Sequence, residues 1–248
     1  MKLEGHRVLV TGGSAGIGLE LARRFLARGA RVAICGRDAE RLEAARRELG
    51  EVETIVSDLA DPASPQALAA EAGARLGGLS ILVNNAGVQK RYALPTSSPE
   101  QIAADAAWEI QVNLTSLVAL TGACMPLLKT APEAAIVNVS SGLAITPKAS
   151  SAVYCATKAA VHSFSQALRD QCEDEAPTIR VFEILPPLVE TAMTEGRGGG
   201  KISAAACAEE SIAGIERDRH EIRVGKTKLL ALIHRLAPRV AAGILRDG

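Results

Sequence analysis

Tyr154-Cys155-Ala156-Thr157-Lys158 sets a phenol and an ammonium four residues apart. On a helix, that spacing puts both groups on one face. A free phenol, with a pKa near ~10, is a poor base at neutral pH. A neighbouring cation stabilises its phenolate. The pair therefore suits proton transfer to or from an oxygen, which is general acid–base work. With two tyrosines and eight lysines in 248 residues, chance supplies this spacing only about 0.06 times. Ser140-Ser141 lies upstream, at the end of an apolar run. A serine hydroxyl there can hydrogen-bond a substrate oxygen as charge develops on it. Taken singly, each group has a plainer reading: a structural contact for Tyr154–Lys158, a turn or helix cap for the serines. Together, and downstream of a glycine-rich turn, they read as one site.

That turn is Thr11-Gly12-Gly13-Ser14-Ala15-Gly16-Ile17-Gly18. Gly12 allows a tight turn, Gly16 lets backbone approach a pyrophosphate, and Gly18 lets a helix pack closely on a strand. The helix N-terminus then offers free N–H groups to phosphate. The bare string is weak, and its position after the first strand gives it weight. The same letters also satisfy the Gly-x-Ser-x-Gly elbow of serine hydrolases, with Ser14 as nucleophile and His162, His220 or His234 downstream. An elbow normally follows a central strand, whereas only about ten residues precede this one. After the second strand stands Cys35-Gly36-Arg37-Asp38. An acid at this point selects NAD by holding the ribose 2′-hydroxyl, whereas Arg can pair with a 2′-phosphate. Arg37 favours NADP(H). Asp38 is either a helix N-cap or a ribose ligand, and the latter would favour NAD(H). Asp58 is a candidate partner for adenine, or a turn residue.

These groups need strands that end beside them. Apolar runs alternate with helix-length segments: Arg7–Val10, Arg31–Cys35, Val52–Val56, Ser80–Val83, Ala134–Val139 and Ile179–Ile184 read as strands. Helices are expected over about 19–28, 38–49, 62–76, 99–129 and 151–173. This alternation predicts βαβ units and an α/β, Rossmann-type, doubly wound three-layer sandwich with a mostly parallel sheet. The chain reads as one domain, with a mobile Gly-rich loop around 195–201. Charges balance at 28 basic and 28 acidic residues and aromatics are only 2%, which speaks against nucleic acid as a partner. Five scattered cysteines without a C-x-x-C suggest reduced thiols and a cytoplasmic setting. The lack of 18 uninterrupted apolar residues predicts no membrane span.

With these motifs in place, the chain resembles the short-chain dehydrogenase/reductase family as far as about Thr194. Thr11-Gly-x-x-x-Gly-x-Gly18 matches the family's cofactor turn, and Asn84-Asn85-Ala86-Gly87 its second marker. Asn113 falls where the family has a relay asparagine, and Ser141 fits the catalytic serine better than Ser140. The resemblance implies catalysis by Asn113, Ser141, Tyr154 and Lys158, and a sheet of about seven strands, the last near Glu221–Val224. It implies cofactor contacts at Thr11, Gly12, Ser14, Gly16, Ile17 and Gly18. Further contacts fall at Arg37, Asp58, Leu59, Asn85, Ala86, Gly87, Tyr154, Lys158, Pro186, Val189 and Thr191. Homodimers or homotetramers are implied, through helices near 100–130 and 151–173.

Two departures stand out. Pro186-Pro187-Leu188-Val189-Glu190-Thr191 replaces the family's Pro-Gly pattern, and the usual Gly-rich last strand is missing. Pro-Pro-Leu-Val-Glu-Thr, Tyr-Cys-Ala-Thr-Lys and Ser-Ser-Gly-Leu-Ala together resemble the DltE-like subgroup. An atypical basic, amphipathic tail, with Leu229, Leu230, Ile233 and Leu236 on one face, covers about 225–248. It reads as a docked helix, an oligomer contact or a membrane-surface element. Substrate contacts are expected from Gln89, Leu143, Leu188 and Met193, with Ile145 and Val189, and a substrate loop is expected over about 188–215. The expected activity is interconversion of a small carbonyl compound and an alcohol. A non-catalytic NAD(P)-binding sensor is the alternative from another class.

Overall fold

The computed structural model describes residues 1–91 and 93–246. The tail's last two expected residues, Asp247 and Gly248, lie outside it. Chain order gives β1 (Arg7–Thr11), α1 (Gly16–Leu26), β2 (Arg31–Gly36), α2 (Ala39–Leu49), β3 (Val52–Val56), α3 (Ser64–Leu76) and β4 (Ile81–Asn84). The second half continues with α4 (Pro99–Ile110), a π-turn (Gln111–Thr115), α5 (Ser116–Leu128), β5 (Ala134–Val139), α6 (Ala152–Glu175) and β6 (Ile179–Leu185). Then come β7 (Val189–Glu190), β8 (Ile202–Ser203), α7 (Ala204–Glu216), β9 (Glu221–Arg223), α8 (Thr227–Leu236) and α9 (Pro238–Arg246).

The main sheet has seven strands in the order β3-β2-β1-β4-β5-β6-β9, every pairing parallel. The strand order reverses between β1 and β4. In open α/β sheets, ligands bind at that switch point, beyond the strands' C-terminal ends. β1, β4 and β5 are apolar on both faces, as strands covered by helices on both sides require. One core layer joins Val8, Val10, Phe25, Ile34, Val83 and Phe182. The other joins Leu9, Leu82, Leu120, Ile136, Leu168 and Val181. Polar pairing runs through the core as well. Asn84 donates to Thr121 Oγ1 (3.0 Å) and Asn138 Oδ1 (2.9 Å), and Asn138 donates to Ser165 Oγ (3.0 Å). Buried amides paired in this way avoid the cost of orphaned polar atoms.

Several boundaries differ from expectation. The first helix opens at Gly16, so the glycine turn's last residues are its first turn. The expected loop over 188–215 is only partly a loop. β7 and β8 pair in parallel, and 204–216 folds as α7, with Cys207, Ile212 and Ile215 buried against the core. Ser203 caps α7 by accepting from Ala206 N, and the apolar residues recur at helical spacing. The Gly-rich run before it masked that signal. The tail is two helices, because Pro238 cannot continue α8 and starts α9. Pro99–Leu128 is long and apolar enough, by length and composition, to cross a membrane. Here Leu117, Leu120, Cys124 and Leu128 are buried, and α5 packs on α3.

Candidate active site

The glycine turn is shaped so that side chains would block it. Gly12 and Gly16 have φ of +63° and +55°, the left-handed region that favours glycine. A Cβ on Gly18 would stand 2.3 Å from Gly12 O, and one on Gly16 would stand 3.0 Å from Thr191 Cγ2. Gly13, which carried no sequence assignment, has its own reason: its Cβ would overlap Ile34 of β2 at 2.5 Å. Ala15 at the N-cap of α1 makes no side-chain cap bond. The helix N-terminus is therefore left to bind an anion. Thr11 Oγ1 accepts from Asn85 N (2.9 Å) and Ala86 N (3.0 Å). Asn85 Nδ2 donates back to Thr11 O at 2.8 Å. The loops after β1 and β4 are thus stitched into one cradle, and these residues fit a dinucleotide.

At the end of β2, Gly36 lies against Ser14 Oγ, 3.3 Å from where its Cβ would be. Asp38 is occupied as the N-cap of α2, accepting from Arg41 N at 3.0 Å. Arg37 is exposed. Asp58 accepts from Ala60 N at 3.0 Å, and the Leu59 side chain is in the core. Ile17 packs on the core from α1.

The other half of the site hangs on α6. Lys158 Nζ lies 5.8 Å from the centroid of the Tyr154 ring and donates to Val139 O at 2.8 Å. Ser141 caps the short turn Gly142–Ala144, accepting from Leu143 N at 3.1 Å. Its hydroxyl also reaches the Tyr154 phenol. Ser140 turns away and bonds Glu183. Gly142 N donates to Pro186 O at 2.9 Å, tying this turn to the Pro-Pro segment. The π-turn presents Asn113, a common use of such turns. Asn113 Oδ1 accepts from Val88 N at 2.7 Å, and its Nδ2 donates to Val88 O (2.9 Å) and Thr157 Oγ1 (3.1 Å). Gly87 sits between Asn113 and Lys158, both within 3.5 Å of where its Cβ would be.

Electrostatics reverse one expectation. Burial pushes the Tyr154 phenol up to about 12, with the Ser141 hydrogen bond opposing it. Burial pulls the Lys158 ammonium down to about 8, against the attraction of Glu183. Desolvation therefore dominates the phenol, and the cation that opposes it is Arg197.

A cavity of about 640 Å³ opens beside Ser141 and Tyr154. Gln89, Leu143, Leu188 and Met193 line it, as expected. Val189 does not; it is buried in the core from β7. Ile145 also lies outside the lining, one residue past the short turn. Thr191 caps the turn Ala192–Thr194. Unexpected lining comes from Arg91, Lys148, Arg197 and Lys226, and from Leu230 and Ile233 of α8. Isolated cations carry no spacing signal, so only the tail's amphipathic pattern could have hinted at them.

The hydrolase reading finds no partner for Ser14. His162 Nδ1 pairs with Glu183 at 2.7 Å, and His220 stacks on Phe182. No hydrogen bond joins Ser14 to a histidine among the described residues. Nor does any cluster of three metal-ligating side chains occur among them.

A model of the short chain dehydrogenase family matches residues 6–200. The chain is 45% identical to the uncharacterized oxidoreductase DltE of Bacillus subtilis (strain 168), over 79% of this chain and 76% of that protein. A crystal structure of a short chain dehydrogenase from Burkholderia cenocepacia J2315 in complex with NADP superposes with a TM-score of 0.85 at 26% identity, covering 100% of both chains. A 3-ketoacyl-(acyl-carrier-protein) reductase from Brucella melitensis, complexed with NADH, gives 0.80 at 28% identity, covering 91% of this chain and 99% of that one.

Proposed function

The chain belongs to the short-chain dehydrogenase family, and from that premise we propose that it is an NADP(H)-dependent oxidoreductase interconverting a carbonyl and an alcohol, with Tyr154 as general acid/base. The observation that carries this reading is the meeting of Ser141, Tyr154 and Lys158, with Ser141 and Tyr154 on the cavity wall and Lys158 against Gly87 of the loop after β4. When bound, the cofactor supplies or accepts the hydride.

The chain's own residues do the rest. Ser141 and Tyr154 both hydrogen-bond the substrate oxygen and fix its position. In reduction, the phenol gives its proton to that oxygen as negative charge develops there. A phenol held near about 12 is fully protonated at neutral pH, so the acid is loaded before substrate arrives. Lys158, anchored to Val139 O, holds positive charge beside the ring and the ribose side of the crevice. Asn113, pinned by Val88 and Thr157, keeps the loop after β4 in place and leads a proton back towards Lys158. NADP(H) is favoured over NAD(H) because Arg37 is exposed at the β2 end while Asp38 is committed to its cap. Five unpaired thiols suit a reducing cytoplasm. Ile110 and Val118, exposed on the 99–128 helix, suit a homodimer or homotetramer built on that surface.

The test is Tyr154→Phe, followed through the absorbance of the reduced cofactor over a panel of ketones, aldehydes and alcohols. Turnover falls by at least ~100-fold, the usual scale of acid–base contributions, while NADPH affinity is kept. Near-normal turnover in that variant would refute the role.

A further inference from the structure

Over the whole chain, 28 basic residues balance 28 acidic ones. The cavity does not share that balance. Arg91, Lys148, Arg197 and Lys226 line it, and among the described residues no carboxylate does. None of the four enters an ion pair among the described residues, although Lys90, next to Arg91, is paired with Asp105 at 3.3 Å. Arg197 instead donates to the neutral Gln89. Lys148 and Arg197 are half-buried. Burial lowers the Lys148 ammonium, and Arg91 and Arg197 lower it further. Arg197 is lowered by burial and by Arg91, while Tyr154 acts on it in the opposite sense. Three cations thus share the cavity wall with the phenol, and among the described residues none has a counter-ion. Partly buried like charges are costly unless an anion joins them, and a cleft lined by one sign concentrates the opposite one.

Much of the remaining wall is apolar. Leu188 and Met193 contribute from the segment after β6, and Leu229, Leu230, Ile233 and Leu245 from the two tail helices. α8 packs on the turn that carries Ser141, so this wall adjoins the reacting position. Pockets of this kind take their affinity from apolar surface and their orientation from a few charged groups.

We propose that the substrate is an amphipathic organic acid: a carbonyl or hydroxyl compound whose carboxylate sits among Arg91, Lys148 and Arg197 and whose hydrocarbon chain lies against α8 and α9. This rests on the oxidoreductase reading for its chemistry, but not for its binding. The carboxylate is a spectator. In reduction, the carbonyl carbon gains a hydride, with the reduced nicotinamide cofactor oxidised in exchange. The carbonyl oxygen gains the Tyr154 proton, and C=O becomes CH–OH.

Binding and turnover are therefore measured separately. Calorimetric titration of the cofactor-loaded protein with octanoate and with octan-1-ol compares one chain with and without charge. Octanoate binds at least ~10-fold more tightly, the scale of one charge-assisted pairing. Arg197→Ala and Lys148→Ala each remove most of that advantage and leave octanol binding and NADPH affinity unchanged. Turnover of medium-chain oxo-acids against their methyl esters shows the same preference in kcat/KM. Equal binding of octanoate and octanol overturns the proposal. So does a loss of NADPH affinity in the variants, which would assign the cations to the cofactor. Tight octanoate binding with turnover of neutral ketones but of no oxo-acid overturns the proposal and keeps the oxidoreductase reading, whereas no turnover of any carbonyl compound sinks that reading and leaves the anion site standing.

Discussion

At the scale of single residues, the site works by desolvation as much as by charge. Lys158 is the most exposed to this balance. Its ammonium titrates at about 8, below the usual lysine range, because it is buried, and Glu183 holds it up. The charged form is lost as pH rises through that value, so kcat/KM for reduction is expected to decline above pH about 8. Glu183→Gln removes the opposing carboxylate, and the decline should move to lower pH; an unchanged profile would show that Glu183 does not act on the lysine. Gly18→Ala is a second residue-scale case. The new Cβ would meet Gly12 O at 2.3 Å, so the variant should lose most cofactor affinity, measured by NADPH fluorescence titration. The sequence disclosed Tyr154, Lys158 and Ser141 because their spacing is local to one helix or one strand end. It did not disclose the pairing of His162 with Glu183, residues that meet only because β6 lies beside α6. It also misjudged the phenol, because burial is not written in a five-residue motif.

At the scale of elements, α6 organises a stripe. Tyr154, Lys158 and His162 recur every fourth residue, and His162 ends the stripe on Glu183 of β6. The hydrogen bond to Glu183 raises the His162 imidazole above its usual value. A raised folded-state pKa stabilises fully below the unfolded value and fades as pH climbs through the folded one. Wild type should therefore exceed His162→Ala in unfolding free energy by about 1–3 kcal/mol at mildly acid pH. The difference should shrink as the pH is raised, in urea titrations at several pH values. Helices and strands with clean periodicity were legible to within a few residues. α7 was not, because Gly196 to Gly200 set an expectation of loop, and its burial depends on α1 lying across from it.

At the scale of the whole molecule, two bodies of sequence meet at one phenol. The crevice comes from β1 to β6, the part whose motifs are widespread and readable. Much of the cavity's apolar wall comes from residues after 224, where no motif exists and only amphipathic spacing speaks. Leu230→Asp should raise KM for an apolar-chained substrate by ~10-fold or more while leaving the NADPH dissociation constant unchanged. Equal losses in both would mean that the tail supports the fold and not the pocket. Leu232, Leu236 and Val240 remain exposed on the tail's outer side.

The placement of α8 and α9 has a consequence in time. A chain emerging from the ribosome has its nucleotide crevice encoded before residue 200, yet the chamber for the second reactant waits for the final turn of α9. The stretch that carries the nucleotide crevice and the stretch that walls in the second reactant are thus separate in sequence. Variation in α8 and α9 would reshape the chamber for the second reactant while Tyr154 and Lys158 keep their places on α6.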